Sequence, residues 1–323
     1  MSAVNPIAPT SVGYGRDMVG GTRIWQPGFP VRLAGVLAGL RRGSGDPTYR
    51  IEGRGTGARH WRGMRTPAGP ASLALRVRGT AIEANAWGPG ADWALAGVPR
   101  LLGAEDDPDG FAPRDPVLRE AIRRRGVPRL GATGLVLEAL VPAIVEQRVT
   151  GQEAFAGYRR LVRRFGERAP GPGADVGLWV PPAAETLRAI PSWDWLRLPV
   201  DPARSKAVVL AARVAPRLEQ TLGLPGEEVE RRLTSIPGIG EWTAAEVRQR
   251  AHGDPDAVSF GDYHVAKDIG WALTGRPWDD DRLRDYLAAY RGHRQRVVML
   301  LYAVAGHRPR RGPRLAPRTH LPG

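Results

Sequence analysis

The fold is decided by residues 233–263, LTSIPGIGEWTAAEVRQRAHGDPDAVSFGDY. Residues 227–233 and 241–250 each have a helical pattern, and a short segment containing Pro-Gly-Ile-Gly separates them. Glycine tolerates tight turns and lets the backbone lie close to a bulky partner. The first N–H groups of the second helix have no intrahelical acceptor. The stretch therefore predicts a helical hairpin whose turn can seat a phosphate group.

The pattern Leu-x-x-Ile-Pro-Gly-Ile-Gly-x-Trp-Thr-Ala resembles the hairpin of the helix-hairpin-helix DNA glycosylases, which excise damaged bases. In that superfamily an essential aspartate follows the hairpin at a fixed distance. Asp262 follows Trp242 by 20 residues, as in the 3-methyladenine glycosylase II branch. The resemblance implies that Asp262 is catalytic and that the turn binds DNA through Pro237, Gly238, Ile239 and Gly240.

Asp262 also has the position of a helix N-cap, because it follows a glycine and precedes a helical apolar pattern that begins at Tyr263. Hairpins of this kind also occur in DNA-binding modules without catalytic activity. The spacing from the hairpin favours the catalytic interpretation. One carboxylate can serve both roles, because a capping carboxylate is stabilised by the helix dipole.

The composition indicates an anionic partner. The 323 residues include 47 basic residues, of which only Lys206 and Lys267 are lysines, and the net charge is +14. The absence of cysteine excludes disulfides, thiolate zinc sites and cysteine-ligated iron–sulfur clusters. The sequence has no transmembrane-length apolar run and no secretory signal pattern. We therefore expect a cytoplasmic, nucleoid-associated monomer that binds damaged double-stranded DNA and no membrane.

The predicted fold class is α+β, with a small N-terminal antiparallel-sheet α/β domain followed by a mostly α-helical helix-hairpin-helix glycosylase domain. Alternating apolar residues predict the strands, and Leu73 and Leu75 face one way while Arg76 and Arg78 face the other. The predicted organisation is a flexible N-terminus at 1–20, an α/β domain at 20–112, a helical domain at 113–305 and a basic Pro/Arg-rich tail at 306–323. Strands are expected at 48–51, 60–65, 72–78 and 80–87.

Helical spacing predicts a first helix over 29–40 and a buried helix around Leu137 to Val145. Thr150 and Glu153 form a T-x-x-E capping box that begins the next helix. Residues 166–182, with four prolines and four glycines, predict a loop. Further helices are expected at 183–190, 203–222, 227–234, 241–251, 263–274, 281–290 and 294–304.

Four residues match the motif that supplies the intercalating plug in the resembling family, namely Gln147-Arg148-Val149-Thr150. The plug fills the gap left when a base is flipped out. Relatives carry leucine at the position of Arg148. Arginine can stack on bases and pair with phosphate, but it is a poorer apolar wedge. The alternatives for Arg148 are the plug or a phosphate contact, and Gln147 is assigned with it to DNA binding.

Matching positions also imply a substrate pocket containing Trp242, Tyr263, Glu246 and Tyr302. Aromatic faces suit a cationic alkylated base. Glu246 departs from the family, since a close relative has a tyrosine there. Its carboxylate could accept a hydrogen bond from an exocyclic amine, or it could favour cationic bases more strongly. Each aromatic residue could instead belong to the core, and for Tyr302 the core interpretation is favoured.

The chemistry implied by the resemblance is hydrolysis of an N-glycosidic bond. Some relatives have a nucleophilic lysine two residues after the last hairpin glycine, but here that residue is Trp242. We therefore expect a monofunctional enzyme that acts on alkylated purines. The alternatives are an enzyme for bulky adducts, hypoxanthine or ethenoadenine, and a non-catalytic DNA-binding protein. No cofactor is expected beyond a structural sodium or potassium ion on the carbonyl groups of Thr234, Ile236 and Ile239.

Overall fold

A computed structural model of the protein describes residues 20–305. It confirms the α+β class, because one antiparallel sheet is followed along the chain by a large helical assembly. The predicted N-terminal segment 1–20, apart from Gly20, and the predicted basic tail 306–323 lie outside the described residues. The strands are β1 (Gly21–Trp25), β2 (Tyr49–Glu52), β3 (Arg59–Thr66), β4 (Gly69–Arg78), β5 (Ala81–Trp87), β6 (Glu167–Arg168) and β7 (Trp179–Val180).

The main sheet has the strand order β1-β5-β4-β3-β2, and every neighbouring pair is antiparallel. Its alternation follows the prediction, since Leu73 and Leu75 are buried in one apolar cluster, while Arg78 is exposed. That cluster also contains side chains from α1 (Leu33–Leu37), α2 (Ala91–Ala96) and α3 (Val98–Leu101).

The opposite face of the sheet is covered as well. Trp61 and Ala74 pack there with Leu178 and Val180, which come from the segment around the small β6–β7 sheet. Gly63 permits this contact, because a Cβ at that position would lie 2.1 Å from the carbonyl oxygen of Trp179. The sheet is therefore buried on both sides around Trp61 and Ala74, and a later part of the chain supplies this second cover.

The remaining helices form two further apolar clusters. These helices are α4 (Pro116–Arg125), α5 (Val136–Val145), α6 (Gly151–Phe165), α7 (Pro172–Asp175), α8 (Ala184–Ala189), α9 (Ser192–Arg197), α10 (Pro202–Arg213), α11 (Ala215–Glu219), α12 (Gly226–Thr234), α13 (Glu241–Val247), α14 (Val265–Thr274), α15 (Asp280–Ala288) and α16 (Arg294–Ala305). The larger cluster contains the hairpin helices α12 and α13 together with α5, α6 and α8 to α11, and the smaller joins α4 to α14, α15 and α16.

Several predicted boundaries were wrong, and proline explains two of them. The first helix begins at Leu33 and not at residue 29, because the residue before Pro30 is disfavoured in helical conformation. The predicted helix 203–222 is divided near Val214, since Pro216 lacks an N–H and its ring crowds the preceding turn. Residues 166–182 are not a plain loop, because they contain β6, α7 and β7.

No helix among residues 20–305 is long and apolar enough to cross a membrane.

The capping box at the start of α6 is confirmed, because the Thr150 hydroxyl accepts from the Glu153 N–H and the Glu153 carboxylate accepts from the Thr150 N–H. The predicted domain boundaries stay a prediction.

Candidate active site

The hairpin is formed by α12, α13 and the turn between them. Leu233, Ile236 and Ile239 are buried at every third position, while the intervening residues are exposed. Gly238 has a φ of +91° and lies close to Ala207 of α10, with 3.1 Å between a Cβ at this position and the Ala207 Cβ. The turn therefore requires glycine there, and its apolar anchors hold the exposed backbone in a fixed position.

Gly240 occupies the N-cap position of α13, with extended φ and ψ values and no side chain to cap the first turn. A Cβ at this position would meet no atom within 4 Å. The first N–H groups of α13 are therefore at an exposed helix N-terminus, which suits an anion. The predicted DNA-binding residues of the turn are Pro237, Gly238, Ile239 and Gly240, and all except the buried Ile239 are exposed.

Gln147 joins the predicted plug segment to the hairpin. Its side-chain nitrogen donates to the carbonyl oxygen of Gly238 at 2.9 Å and to the hydroxyl of Thr243 at 2.8 Å. Both donors of the amide are thus used inside the protein, because a side-chain amide has two N–H groups. Gln147 therefore supports the hairpin, and its contact with DNA stays a prediction.

Arg148 lies at the tip between α5 and α6. It is exposed and has a φ of +54°, which is in the left-handed region that non-glycine residues rarely adopt. Such strain costs about 1–3 kcal/mol and concentrates at functional sites. The exposure of Arg148 is compatible with either of its predicted roles.

Asp262 is held by three donors from two elements. The indole N–H of Trp242 donates to its Oδ2 at 3.2 Å, and the backbone N–H groups of His264 and Val265 donate to its Oδ1 at 2.7 and 3.2 Å. These two backbone contacts brace the start of α14, but the predicted N-cap position was wrong, because α14 begins at Val265 and its N-cap is His264. The carboxylate is half-buried and is fixed between the hairpin and the start of α14.

Tyr263 is 71% exposed, the most exposed of the predicted pocket residues, and its ring carries two neighbours. The ammonium nitrogen of Lys267 lies 3.5 Å from the ring centroid, and the His264 ring packs edge-on at 5.0 Å. One face of Tyr263 is thus already in contact with a cation. Tyr302 is half-buried against the cluster of α4 and α14 to α16, as the favoured core interpretation predicts.

Glu246 does not offer a free carboxylate. It is 9% exposed, its Oε1 accepts from the Ser259 hydroxyl at 2.6 Å, and its Oε2 pairs with Arg250 at 2.8 Å. Burial alone would raise the pKa of Glu246, but the charge of Arg250 and the Ser259 hydrogen bond outweigh it and lower that pKa below its ordinary value. Both oxygens are therefore engaged, so the predicted hydrogen bond to a base would have to share one of them.

Sequence reasoning did not find the residues that hold the loop before Asp262. Gln249 donates to the carbonyl oxygen of Ala257 at 3.0 Å and to the Ser259 hydroxyl at 2.9 Å. Gln249 and Arg250 lie in a π-helical turn, Arg248–His252, that continues α13. The spacing of four residues between Glu246 and Arg250 is the one signal in the sequence that could have indicated this network.

The predicted cation site consists of backbone carbonyl groups in the hairpin. The Ile236 carbonyl accepts the Ile239 N–H at 3.0 Å, and a carbonyl oxygen has a second lone pair that a cation can use. Oxygen donors suit hard cations, so the chemistry of these residues fits sodium or potassium. Among residues 20–305, no group of three or more histidine, aspartate or glutamate side chains could hold a metal ion.

No family model matches the sequence. The chain is 29% identical over 224 residues to a protein from two strains of Mycobacterium tuberculosis named "Probable bifunctional transcriptional activator/DNA repair enzyme AlkA". The match covers 66% of this chain and 43% of the AlkA protein, so the chain spans less than half the length of the curated relative.

Two solved structures resemble the whole fold. A 3-methyladenine DNA glycosylase from Archaeoglobus fulgidus superposes with a TM-score of 0.71 at 18% identity, over 87% of this chain and 98% of that chain. An 8-oxoguanine glycosylase/lyase from Clostridium acetobutylicum gives a TM-score of 0.61 at 12% identity, over 89% and 98%. The chain is therefore similar in sequence to a protein named as a DNA repair enzyme, and it shares its fold with these two glycosylase structures.

Proposed function

We propose that the protein is a monofunctional DNA glycosylase of base excision repair. Its substrates are alkylated purines of the 3-methyladenine and 7-methylguanine type, flipped out of duplex DNA. The observation that carries the proposal is the hydrogen bond between Trp242 of the hairpin helix and Asp262. It holds a carboxylate beside a turn suited to a phosphate, and a module that only binds DNA gains nothing from a negative charge there.

The chemistry follows from the leaving group. A stacked base cannot be reached, so it must first rotate into a pocket, and Arg148 would fill the gap. Cleavage of the bond develops positive charge on the sugar, which the Asp262 carboxylate stabilises. Glycoside hydrolases need a second carboxyl group to protonate the leaving oxygen. An N3- or N7-alkylated purine is already cationic and leaves without it, so one carboxylate is sufficient.

Asp262 can also position the attacking water. An ionised carboxylate has about four acceptor sites, and the contacts described above use three of them. The remaining site can accept a hydrogen bond from the attacking water, while the negative charge of the carboxylate faces the sugar. The chain's own residues thus supply the two functions that hydrolysis needs, namely charge stabilisation and water placement.

The absence of lyase chemistry rests on the position of the amines. Trp242 stands where lyase relatives carry a lysine. Lys206 lies on α10, and the Lys267 ammonium contacts the Tyr263 ring. We therefore propose hydrolysis without a Schiff base. Borohydride should trap no covalent complex with DNA, and an adduct that disappears in Lys267→Gln would refute this part of the proposal.

The partner is double-stranded damaged DNA, bound by a monomer in the cytoplasm at the nucleoid. The exposed hairpin turn would seat one phosphate, and Arg148 would enter the duplex. Net charge of +14 supports attraction that does not depend on sequence.

The test is release of free base from N-methylated duplex DNA, detected by mass spectrometry. The wild type should release 3-methyladenine, and Asp262→Asn should lose most of that activity while it still binds a duplex with an abasic-site mimic. Asparagine keeps the capping contact, so an equal activity of Asp262→Asn would reduce Asp262 to a helix cap. Binding of DNA without release of any base would favour the non-catalytic alternative.

One observation favours a second candidate substrate class. The Lys267 ammonium on the Tyr263 ring would repel a cationic base that used the same face. A neutral base such as hypoxanthine or ethenoadenine meets no such repulsion. Mass-spectrometric profiling of the released bases discriminates cationic from neutral substrates. If the Lys267 charge disfavours cationic bases, Lys267→Gln should raise their excision relative to that of neutral ones.

A further inference from the structure

A buried ion pair connects the sheet region to the tip that carries Arg148. The Arg42 guanidinium donates from one nitrogen to both oxygens of Glu146, at 2.8 and 3.1 Å. The two side chains are 8% and 16% exposed. Arg42 lies between the first helix and β2, whereas Glu146 directly precedes Gln147 and Arg148. A residue of the N-terminal part thus holds the base of the predicted plug segment.

A second contact from the same segment reaches the loop that carries Asp262. The carbonyl oxygen of Gly39 accepts from Nε of Arg250 at 2.8 Å, and Arg250 pairs with Glu246. Glu246 in turn accepts from Ser259, which lies three residues before Asp262. Residues 39–42 are therefore connected to both predicted functional segments, to the segment that carries Arg148 through Glu146 and to the loop that carries Asp262 through Arg250.

In each of the two ion pairs, Arg42–Glu146 and Arg250–Glu246, the partners neutralise one another's charge in a poorly solvated part of the protein. Burial raises the pKa of Glu146 although Arg42 and Arg250 oppose it, and burial lowers the pKa of Arg250. Removing one partner of a buried pair leaves an uncompensated charge that must find solvent or another partner. Loss of Arg42 would therefore displace Glu146, and with it the segment that continues into Gln147 and Arg148.

We propose that Arg42 is a positioning residue for the reaction, and that residues 39–42 set the placement of both the Arg148 tip and the Asp262 loop. This inference rests on the proposed glycosylase function. It assigns the N-terminal part of the chain a role in catalysis that is separate from its own folding. Arg42 acts through Glu146, and the Gly39 carbonyl acts through Arg250, Glu246 and Ser259.

The chain offers a matched control for a purely structural clamp. Arg62 of β3 and Glu138 of α5 form another ion pair between the sheet and the helical part, with side chains 11% and 10% exposed. It lies at the opposite end of α5 from Glu146, two turns before the tip. Arg62→Gln should weaken the docking of the sheet much as Arg42→Gln does, without moving the tip or the Asp262 loop.

The experiment compares Arg42→Gln and Arg62→Gln in the full chain. Both should lower the melting temperature. Only Arg42→Gln should lower kcat for base release, by about a hundredfold, because a displacement of about 1 Å at a catalytic group has that effect. Arg42→Lys keeps the charge and should fall between the wild type and Arg42→Gln. Arg42→Gln/Glu146→Gln should recover part of the loss, because no charge is left unpaired.

Hydrogen–deuterium exchange gives a readout that does not need activity. Exchange should rise in residues 146–150 of Arg42→Gln or Arg42→Lys, which continue from Glu146, and in residues 257–265, because the Arg42 charge also acts on the Glu246 carboxylate that Ser259 contacts. It should rise in neither segment of Arg62→Gln. Equal losses of kcat in Arg42→Gln and Arg62→Gln, or unchanged exchange in both segments, would overturn the positioning role. If the wild type releases no base while the variants still show the expected differences in exchange, the proposed function is refuted but the positioning contacts are supported.

Discussion

Gly240→Asp is the sharpest test of the hairpin, because the structure predicts opposite effects on stability and on DNA affinity. Gly240 has a φ of −104° and a ψ of −179°, which any residue adopts, and its Cβ would enter open space. Aspartate is among the best N-cap residues, and it is also favoured by the helix dipole. The variant should therefore fold as well as the wild type, with a gain of about 0.3 kcal/mol from capping.

The same carboxylate would oppose a phosphate seated on the first turn of α13. Two unit charges about 5 Å apart, at an effective dielectric constant of about 20, repel by about 3 kcal/mol. Since about 1.4 kcal/mol corresponds to tenfold, the affinity for duplex DNA should fall roughly a hundredfold. Gly240→Asn is the matched control, because asparagine caps equally well and has nearly the same size but no charge. Its affinity should stay within about threefold of the wild type.

The assay is fluorescence anisotropy with a duplex that contains an abasic-site mimic, at fixed salt, beside urea unfolding of each variant. Equal affinities of the aspartate and asparagine variants would refute the seating of a phosphate at this turn. Gly238 is a poorer position for this test, since its φ of +91° would add backbone strain to any substitution.

Three further predictions concern the contacts around the site. Trp242→Phe removes the indole N–H on Asp262 and leaves a smaller aromatic ring, so it should reduce base release in single-turnover assays by less than Asp262→Asn, whose loss should reach about 10²- to 10³-fold. The reverse order would make the tryptophan and not the carboxylate the main determinant. Arg148→Gly should raise the free energy of unfolding by about 1 kcal/mol, because it relieves the positive φ, and yet it should reduce excision from duplex DNA more than from single strands. Equal losses on the two substrates would make Arg148 a phosphate contact. The logarithm of the affinity for undamaged duplex should fall linearly with the logarithm of salt concentration, and a flat dependence would contradict electrostatic binding.

Local patterns predicted the hairpin and the elements around it well. The spacing of apolar residues identified the strands β2 to β5, and the T-x-x-E pattern gave the start of α6. The backbone contacts of Asp262 were predictable in kind, since they join its carboxylate to residues two and three positions later, although the N-cap itself is His264. The hydrogen bond between Trp242 and Asp262 agrees with the spacing of these two residues along the sequence. That spacing by itself supported only a resemblance to a known family.

Contacts between distant segments could not be predicted in the same way. Arg42 and Glu146 are 104 residues apart, and the sequence around either residue does not indicate that the other is its partner. Glu246 was predicted as a pocket residue, but its Ser259 partner comes from a loop whose course depends on tertiary packing. The strand β1 was missed because its sequence GTRIW has no apolar alternation, with Ile24 and Trp25 adjacent, and β6 and β7 were missed because two residues give none.

The double cover of the sheet has a consequence for the order of events during synthesis. The strands up to Trp87 leave the ribosome well before Leu178 and Val180, which cover Trp61 and Ala74. Until then one face of the nascent sheet presents aromatic and aliphatic surface to the solvent, where it is open to association with other chains. A fragment that ends at residue 112 keeps that state permanently. We therefore expect such a fragment to aggregate or to require a chaperone, whereas a chain extended past residue 180 can cover both faces of the sheet.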